Sequence, residues 1–235
     1  MPHTSRRANL AAIVLLGGKS SRMQRDKAAL VVGKLSLLAR VVKAVAPLAE
    51  HLILVDSPDK QHDAISARQA LLEPLLADDQ ALLSRTSLVH DTVWHEGPLA
   101  GIQAGLAAAQ QVAELAFITS CDVPLLQTSL VELLVDTLIC PPPPHEQSQA
   151  YDAAIPEIGG QMQPLTAVYR TALAASAAAN FAAGNRRVKT WAESLRWLAV
   201  NEPALRAADK DLRSLKNINT PNQLHEIESL LERED

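Results

Sequence analysis

The chain has 235 residues, 48% of them apolar, and a formal net charge of −4. It is long enough to bury the core of an α/β domain, and too acidic overall for a nucleic-acid binder held by a basic surface, so any anion site must be local. No apolar run approaches the roughly 20 residues of a membrane span, and Cys121 and Cys140, neither at a zinc-finger spacing from a histidine, read as reduced thiols of a cytoplasmic protein.

Arg6 and Arg7 before an apolar segment imitate a secretory leader, but the segment is short and runs into Gly17-Gly18-Lys19 rather than a small-x-small cleavage site. Ala11 to Leu16 therefore reads as a strand buried on both faces. It feeds a loop carrying Gly17, Gly18, Lys19, Ser20, Ser21, Arg22, Arg25, Asp26 and Lys27. Paired glycines let consecutive N–H groups face an anion without a Cβ in the way, and Arg22 and Lys27 add full charges. The alternative is a basic surface loop after an ordinary strand.

Ala28 to Val32 and Leu35 flank a Gly33-Lys34 turn. Ser36 suits an N-cap before the apolar face of Leu37, Leu38, Val41, Val42, Val45 and Leu48. His51 to Val55 reads as a second buried strand closing a β-α-β unit, with Asp56-Ser57-Pro58 as a candidate pocket edge beyond its carboxyl end. Asp59 to Arg85 carries a helical pattern broken by Pro74, to which no chemistry is assigned. Leu88 to His90 is a third strand delivering Asp91. After it Gly97 and Pro98 open a helix whose Gly101 and Gly105 form a smooth strip for close packing, and whose N-terminus is a half-positive phosphate site.

Leu115 to Thr119 is a fourth strand ending in Ser120-Cys121-Asp122-Val123-Pro124. Asp122 either holds a divalent cation against phosphate oxygens or caps the following helix of Leu130, Leu133, Leu134 and Leu138. Cys140 to Gln149, with four prolines, is a surface loop. Asp152 to Ile158 and Leu165 to Arg170 read as an antiparallel pair joined by Gly159-Gly160. A helix from Thr171 to Ala183 ends at Gly184, and Arg186 and Arg187 then either clamp a second anion or satisfy the final carbonyls of that helix. Val188 to Leu195 is helical, Trp197 to Val200 an edge strand, and Asn201 to Lys210 a polar loop. Asn217, Asn219, Thr220 and Pro221 give turn and N-cap chemistry before a closing helix of Leu224, Ile227, Leu230 and Leu231, although an asparagine carboxamide could also complete a metal shell.

Taken together and in order, LLGGKSSRMQRDKAAL, EGPLAGIQAGL, ITSCDVPLL and NINTPNQL resemble the MobA-like nucleotidyltransferases, and among them most closely the guanylyltransferases of the molybdenum cofactor, over Ala11 to about Leu231. Leu15, Gly17, Gly18, Arg22, Met23, Asp26 and Lys27 fit the family's first motif. Leu16 stands where an alanine is usual, and Gln24 where a glycine is. The resemblance implies a Rossmann-like three-layer α/β/α fold with a mostly parallel central sheet, as one domain over 1–235 with a nucleotide-binding half at about 10–140 and an acceptor-binding half at about 150–235. It implies Mg²⁺-dependent transfer of GMP from GTP to the phosphate of molybdopterin, with release of pyrophosphate.

By position, Leu15, Leu16, Gly17, Gly18, Asp91 and Gly97 would line the nucleotide, and Lys27 and Arg22 would act on its phosphates. Asp122 would hold Mg²⁺ with Asn219, while Arg186, Arg187, Asn217 and Asn219 would bind the acceptor. Asp56-Ser57-Pro58 stands where the family has an asparagine, and that position is left open. A phosphate nucleophile is already ionised, so no general base is required. Expected partners are GTP, molybdopterin and a molybdoenzyme or cofactor-delivery protein, with no nucleic acid and no membrane. A transferase using CTP or a sugar or alcohol phosphate, and a non-catalytic accessory protein, are the alternatives; a dehydrogenase is disfavoured because no Gly-x-Gly-x-x-Gly follows the first strand.

Overall fold

The computed structural model describes residues 9–16, 26–57, 64–91, 97–141 and 150–231. In the first half these form β1 (Leu10–Leu15), a hairpin of β2 (Val31–Val32) and β3 (Leu35–Ser36), α1 (Leu37–Val45), β4 (His51–Asp56), α2 (Ala64–Leu72), β5 (Thr86–His90), α3 (Pro98–Ala109), β6 (Leu115–Ser120) and α4 (Thr128–Ile139). In the second half come β7 (Ala153–Ile158), β8 (Gln161–Met162), β9 (Ala167–Arg170), α5 (Ala174–Ala182), α6 (Val188–Glu193), β10 (Trp197–Val200), α7 (Glu202–Ala208) and α8 (Pro221–Leu231).

All six residues of β1 are buried. Because side chains alternate across a strand, Leu10, Ala12 and Val14 enter one core with Leu38, Val41, Leu130, Leu134 and Leu205, while Ala11, Ile13 and Leu15 enter another with Leu99, Ile102, Leu106, Ala177 and Trp191. Helices α1, α4 and α7 thus cover one face of the sheet and α3, α5 and α6 the other, which is the expected three-layer arrangement. The main sheet runs β10-β7-β9-β6-β1-β4-β5, with β8 paired onto β7. Strands β4, β5 and β6 run parallel to β1 or to its neighbour, β10 runs parallel to β7, and β9 is antiparallel to both β6 and β7. The sheet is continuous between the two halves of the sequence.

Local chemistry explains most boundaries. The Ser36 hydroxyl accepts from Ala39 N at 3.1 Å and caps α1. Gly105 is required by proximity: a Cβ there would lie 2.6 Å from Ile13 Cγ2, so the missing side chain lets α3 settle onto β1. Pro74 falls in a short 3-10 helix, Glu73–Leu75, immediately after α2.

Two expectations need correction. Gly159 and Gly160, at φ +55° and +72°, turn β7 back into β8 rather than into β9, and β9 is reached through 163–166. Two consecutive residues at positive φ suit a tight hairpin, which here fits a two-residue strand. The antiparallel pairing of β7 with β9 is nevertheless present, at Ala153↔Tyr169 and Ala154↔Val168. The segment read as polar loop contains α7, because Asn201 Oδ1 accepts from Ala204 N at 3.1 Å, Pro203 sits in the first turn and Leu205 is fully buried. Cap, proline and one buried leucine outweigh the polar composition. Among the described residues no helix is long and apolar enough to cross a membrane. Both cysteines are free, Cys121 buried and Cys140 exposed; the rest of the proline-rich segment, 142–149, lies outside the described residues.

Candidate active site

Parallel β1, β4, β5 and β6 bring their carboxyl ends to one rim, where chain segments distant in sequence can meet. Gly17, Gly18 and Arg22 lie outside the described residues. The chain returns at Asp26, whose Oδ1 accepts from Ala28 N at 3.1 Å and caps the short 3-10 helix Lys27–Ala29. From this turn the Lys27 ammonium donates to Ile218 O and to Asn219 Oδ1, both at 2.9 Å, and lies 3.6 Å from Asp122 Oδ2. Ile218 N donates to Asp122 O at 2.8 Å, tying the segment before α8 to the turn after β6. Lys27, Asp122 and Asn219 therefore converge on one point.

Asp122 does not cap α4, whose N-cap is Gln127; its carboxylate accepts from Ser120 Oγ and faces Lys27. Asn219 is held by the start of α8. Gln223 Oε1 accepts from Asn219 N at 2.8 Å and Thr220 N at 3.1 Å, while Gln223 N donates to Thr220 Oγ1 at 3.3 Å. This is a reciprocal capping box; the Thr220 cap and Pro221 at the first helical position are as anticipated, and the return bond to Gln223 is not.

The donor set suits Mg²⁺. A carboxylate and a carboxamide oxygen are hard ligands, and Mg²⁺ commonly takes one or two such protein oxygens and completes its shell with water and substrate phosphates. Among the described residues no cluster of three or more His, Cys, Asp or Glu side chains offers a fuller cage. The Lys27 ammonium, in reach of both oxygens, shows that they already converge on one positive charge.

The other anticipated residues fall around this rim unevenly. Leu15 and Leu16 are each 6% exposed, Leu15 in the core under α3 and Leu16 in the core under α1. Asp91 follows β5, with its N–H donating to Asp56 O at 2.9 Å, and its Oδ2 lies 3.9 Å from where a Gly101 Cβ would stand, beside the first turn of α3. Gly97, at φ +99°, caps α3, and a Cβ there would sit 3.0 Å from the Arg186 carbonyl oxygen. The arginine segment and the N-terminus of α3 are thus in contact. Arg186 itself donates to Phe181 O near the end of α5 and stacks 4.0 Å above the Phe181 ring. Arg187 is exposed at the N-cap of α6, and Asn217 is exposed. Burial, and secondarily the adjacent Asp122, pushes the Cys121 thiol up to about 12, which removes it as a nucleophile.

Sequence reasoning misjudged one position and missed another. Asp56 does not offer its carboxylate to a pocket edge. It is 1% exposed, its Oδ2 accepts from Arg68 Nε at 2.8 Å and Nη2 at 2.7 Å, and its Oδ1 accepts from Ser57 N at 2.8 Å. Pro58 lies outside the described residues. Arg68 Nη1 also reaches Asp26 Oδ2 at 2.7 Å. Burial alone would lower the Arg68 pKa, but Asp56 and then Asp26 outweigh it and hold the guanidinium more firmly charged than usual. The available signal was an arginine one helical turn before the fully buried Leu72, and therefore on the core side of α2.

Comparison with known proteins agrees with this architecture. Residues 12–199 match the MobA-like NTP transferase domain. A molybdenum cofactor guanylyltransferase from Ectopseudomonas mendocina is 30% identical over 228 residues, covering 95% of this chain and 94% of that protein. In structure, the molybdopterin-guanine dinucleotide biosynthesis protein A of Archaeoglobus fulgidus is similar with a TM-score of 0.72 at 23% identity, covering 95% of this chain and 99% of that one. The 4-diphosphocytidyl-2C-methyl-D-erythritol synthase of Anaerococcus prevotii is similar with a TM-score of 0.63 at 14% identity, covering 97% and 99%. These two structures share the fold, and the family match over most of the chain establishes that this protein belongs to the MobA-like NTP transferases, a family of nucleotidyltransferases.

Proposed function

We propose that the protein transfers GMP from GTP to the terminal phosphate of molybdopterin, as one catalytic domain of the cytoplasm. The observation that carries this reading is the convergence of Lys27, Asp122 and Asn219 from three remote segments at the carboxyl rim of the sheet. The guanylyltransferase name of the 30%-identical relative supports the choice of nucleotide and acceptor.

An oxygen of the acceptor phosphate attacks the α-phosphorus of GTP; a new P–O bond forms, the bond from the α-phosphorus to the bridging oxygen breaks, and pyrophosphate leaves. Two polyanions must be brought together, so the main tasks are neutralising charge and holding the reacting groups in line. Lys27 supplies a mobile cation that can leave Asn219 and Asp122 for the triphosphate. Mg²⁺, held by Asp122 and Asn219, would supply the Lewis acid that draws charge from the phosphate oxygens. The N-terminus of α3 would add partial positive charge, Asp91 beside it would meet the ribose or base, and Arg187 the acceptor phosphate. With an ionised nucleophile, none of these residues needs to accept a proton.

The test is pyrophosphate release by purified protein with Mg²⁺, molybdopterin and either GTP or CTP. Release with GTP is expected. Release with CTP alone would assign a sibling transferase, and GTP binding without release would assign an accessory role in cofactor delivery.

A further inference from the structure

Arg68 is the only buried lysine or arginine among the described residues. It stands in α2, in the stretch between β4 and β5 to which the transfer chemistry assigns nothing. Asp56, buried with it, is already a sufficient counter-ion and receives two of its N–H groups. The third contact is the informative one. Asp26 is one-third exposed and could be solvated, yet its Oδ2 is drawn to Arg68 Nη1 at 2.7 Å. Its other oxygen caps the turn that begins with Lys27. A guanidinium fork suits this task, since its rigid plane holds two carboxylates at a set separation.

We infer that Arg68 is a positioning residue for nucleotidyl transfer, bridging Asp26 to the buried tip of β4 and so fixing the backbone from which Lys27 reaches Asp122 and Asn219. The inference shares with the proposed reaction the premise that Lys27 serves the triphosphate. Among the described residues the side-chain bonds of Arg68 go to Asp56 and Asp26, and of these two Asp26 carries the turn of Lys27. The fixed point it uses is Asp56, whose strand pairs with β1 at Leu15↔Val55 and with β5 at Asp56↔His90. The phosphate-contacting lysine is thereby referenced to the sheet itself rather than to a surface loop.

Two variants separate positioning from a merely structural role. Asp26→Asn keeps a good helix cap but loses the charge facing Arg68, and leaves the Arg68–Asp56 pair intact. The double variant Arg68→Met/Asp56→Asn removes both buried charges at similar volume, so that neither is left uncompensated, and keeps a carboxamide oxygen to accept from Ser57 N. Each is compared with the native protein by thermal unfolding, by acylation of Lys27 read by peptide mass spectrometry with exposed Lys189 as internal reference, and by steady-state pyrophosphate release. Both variants should unfold near the native temperature, yet show Lys27 acylated at least about threefold faster, as expected for breaking a coupled network. Their kcat/KM should fall about tenfold to a hundredfold, the scale of a misplaced catalytic group. Native Lys27 labelling and native rates in both folded variants would overturn the inference. Failure of the native protein to release pyrophosphate would instead overturn the proposed reaction, while Lys27 labelling, which needs no substrate, still decides whether Arg68 fixes Lys27.

Discussion

Two charged clusters lie next to each other on the chain and are built for opposite purposes. Around Arg68 the charges of the central pair are removed from water: the side chains of Arg68 and Asp56 are 4% and 0% exposed, with Asp26 at 33% on the outer side, and both carboxylates meet the guanidinium at 2.7 Å. Around Lys27 they are left partly wet, with the ammonium and the Asp122 carboxylate 19% and 18% exposed and 3.6 Å apart. Breaking a buried pair by removing one partner leaves an uncompensated charge, whereas a partly solvated pair can exchange partners at little cost. The comparison teaches that the first cluster is a fixture and the second a looser contact, which under the proposed reaction is exchanged for phosphate oxygens.

The sharpest way to break the comparison is Asp56→Ala. It leaves the buried Arg68 guanidinium with the one-third-exposed Asp26 as its counter-ion and should lower unfolding free energy by up to about 3–5 kcal/mol in urea denaturation. A loss below about 1 kcal/mol would mean that water reaches the guanidinium. Asp122→Ala should do the reverse, leaving stability within about 1 kcal/mol of native while lowering Mg²⁺-dependent turnover about a hundredfold to a thousandfold, the cost of removing a group that stabilises developing charge. Native turnover would remove Asp122 from the site.

Lys27→Ala should weaken triphosphate binding about tenfold, equivalent to about 1.4 kcal/mol, as measured by nucleotide titration. Because the lysine also bridges to the segment before α8, a comparable loss of thermal stability would show that it is a fixture too. The smallest effect belongs to Gln223→Ala, which opens the capping box over Asn219. It should cost about 0.5–1 kcal/mol of stability and raise the Mg²⁺ concentration needed for half-maximal turnover. An unchanged Mg²⁺ requirement would separate Asn219 from metal binding.

The contrast also marks where sequence was informative. Strands β1 and β6, the Ser36 cap and the Thr220-Pro221 start of α8 were legible because periodicity and capping act over a few residues. The meeting of Lys27 with Asn219, 192 residues apart, has no local signal and was anticipated only from the family resemblance. Arg68 was invisible for a related reason. Its partners lie 12 and 42 residues away, and a single arginine in an alanine- and leucine-rich helix reads as a solvated face until its neighbours are known. Asp56 was misjudged because its position at a strand end suits a ligand contact, and only burial distinguishes that from an internal ion pair. Helix α7 was lost to polar composition although Asn201 and Pro203 carried its start signal.

The central claim is that Lys27 and Asp122 act on the same triphosphate. A double-mutant cycle in Mg²⁺-dependent pyrophosphate release from GTP and molybdopterin tests it most directly, using the native protein, Lys27→Ala, Asp122→Ala and the combined variant. If the two groups serve one transition state, the combined loss should fall short of the product of the single losses by about tenfold or more. Losses that multiply in full, each side chain failing independently of the other, would contradict a shared site.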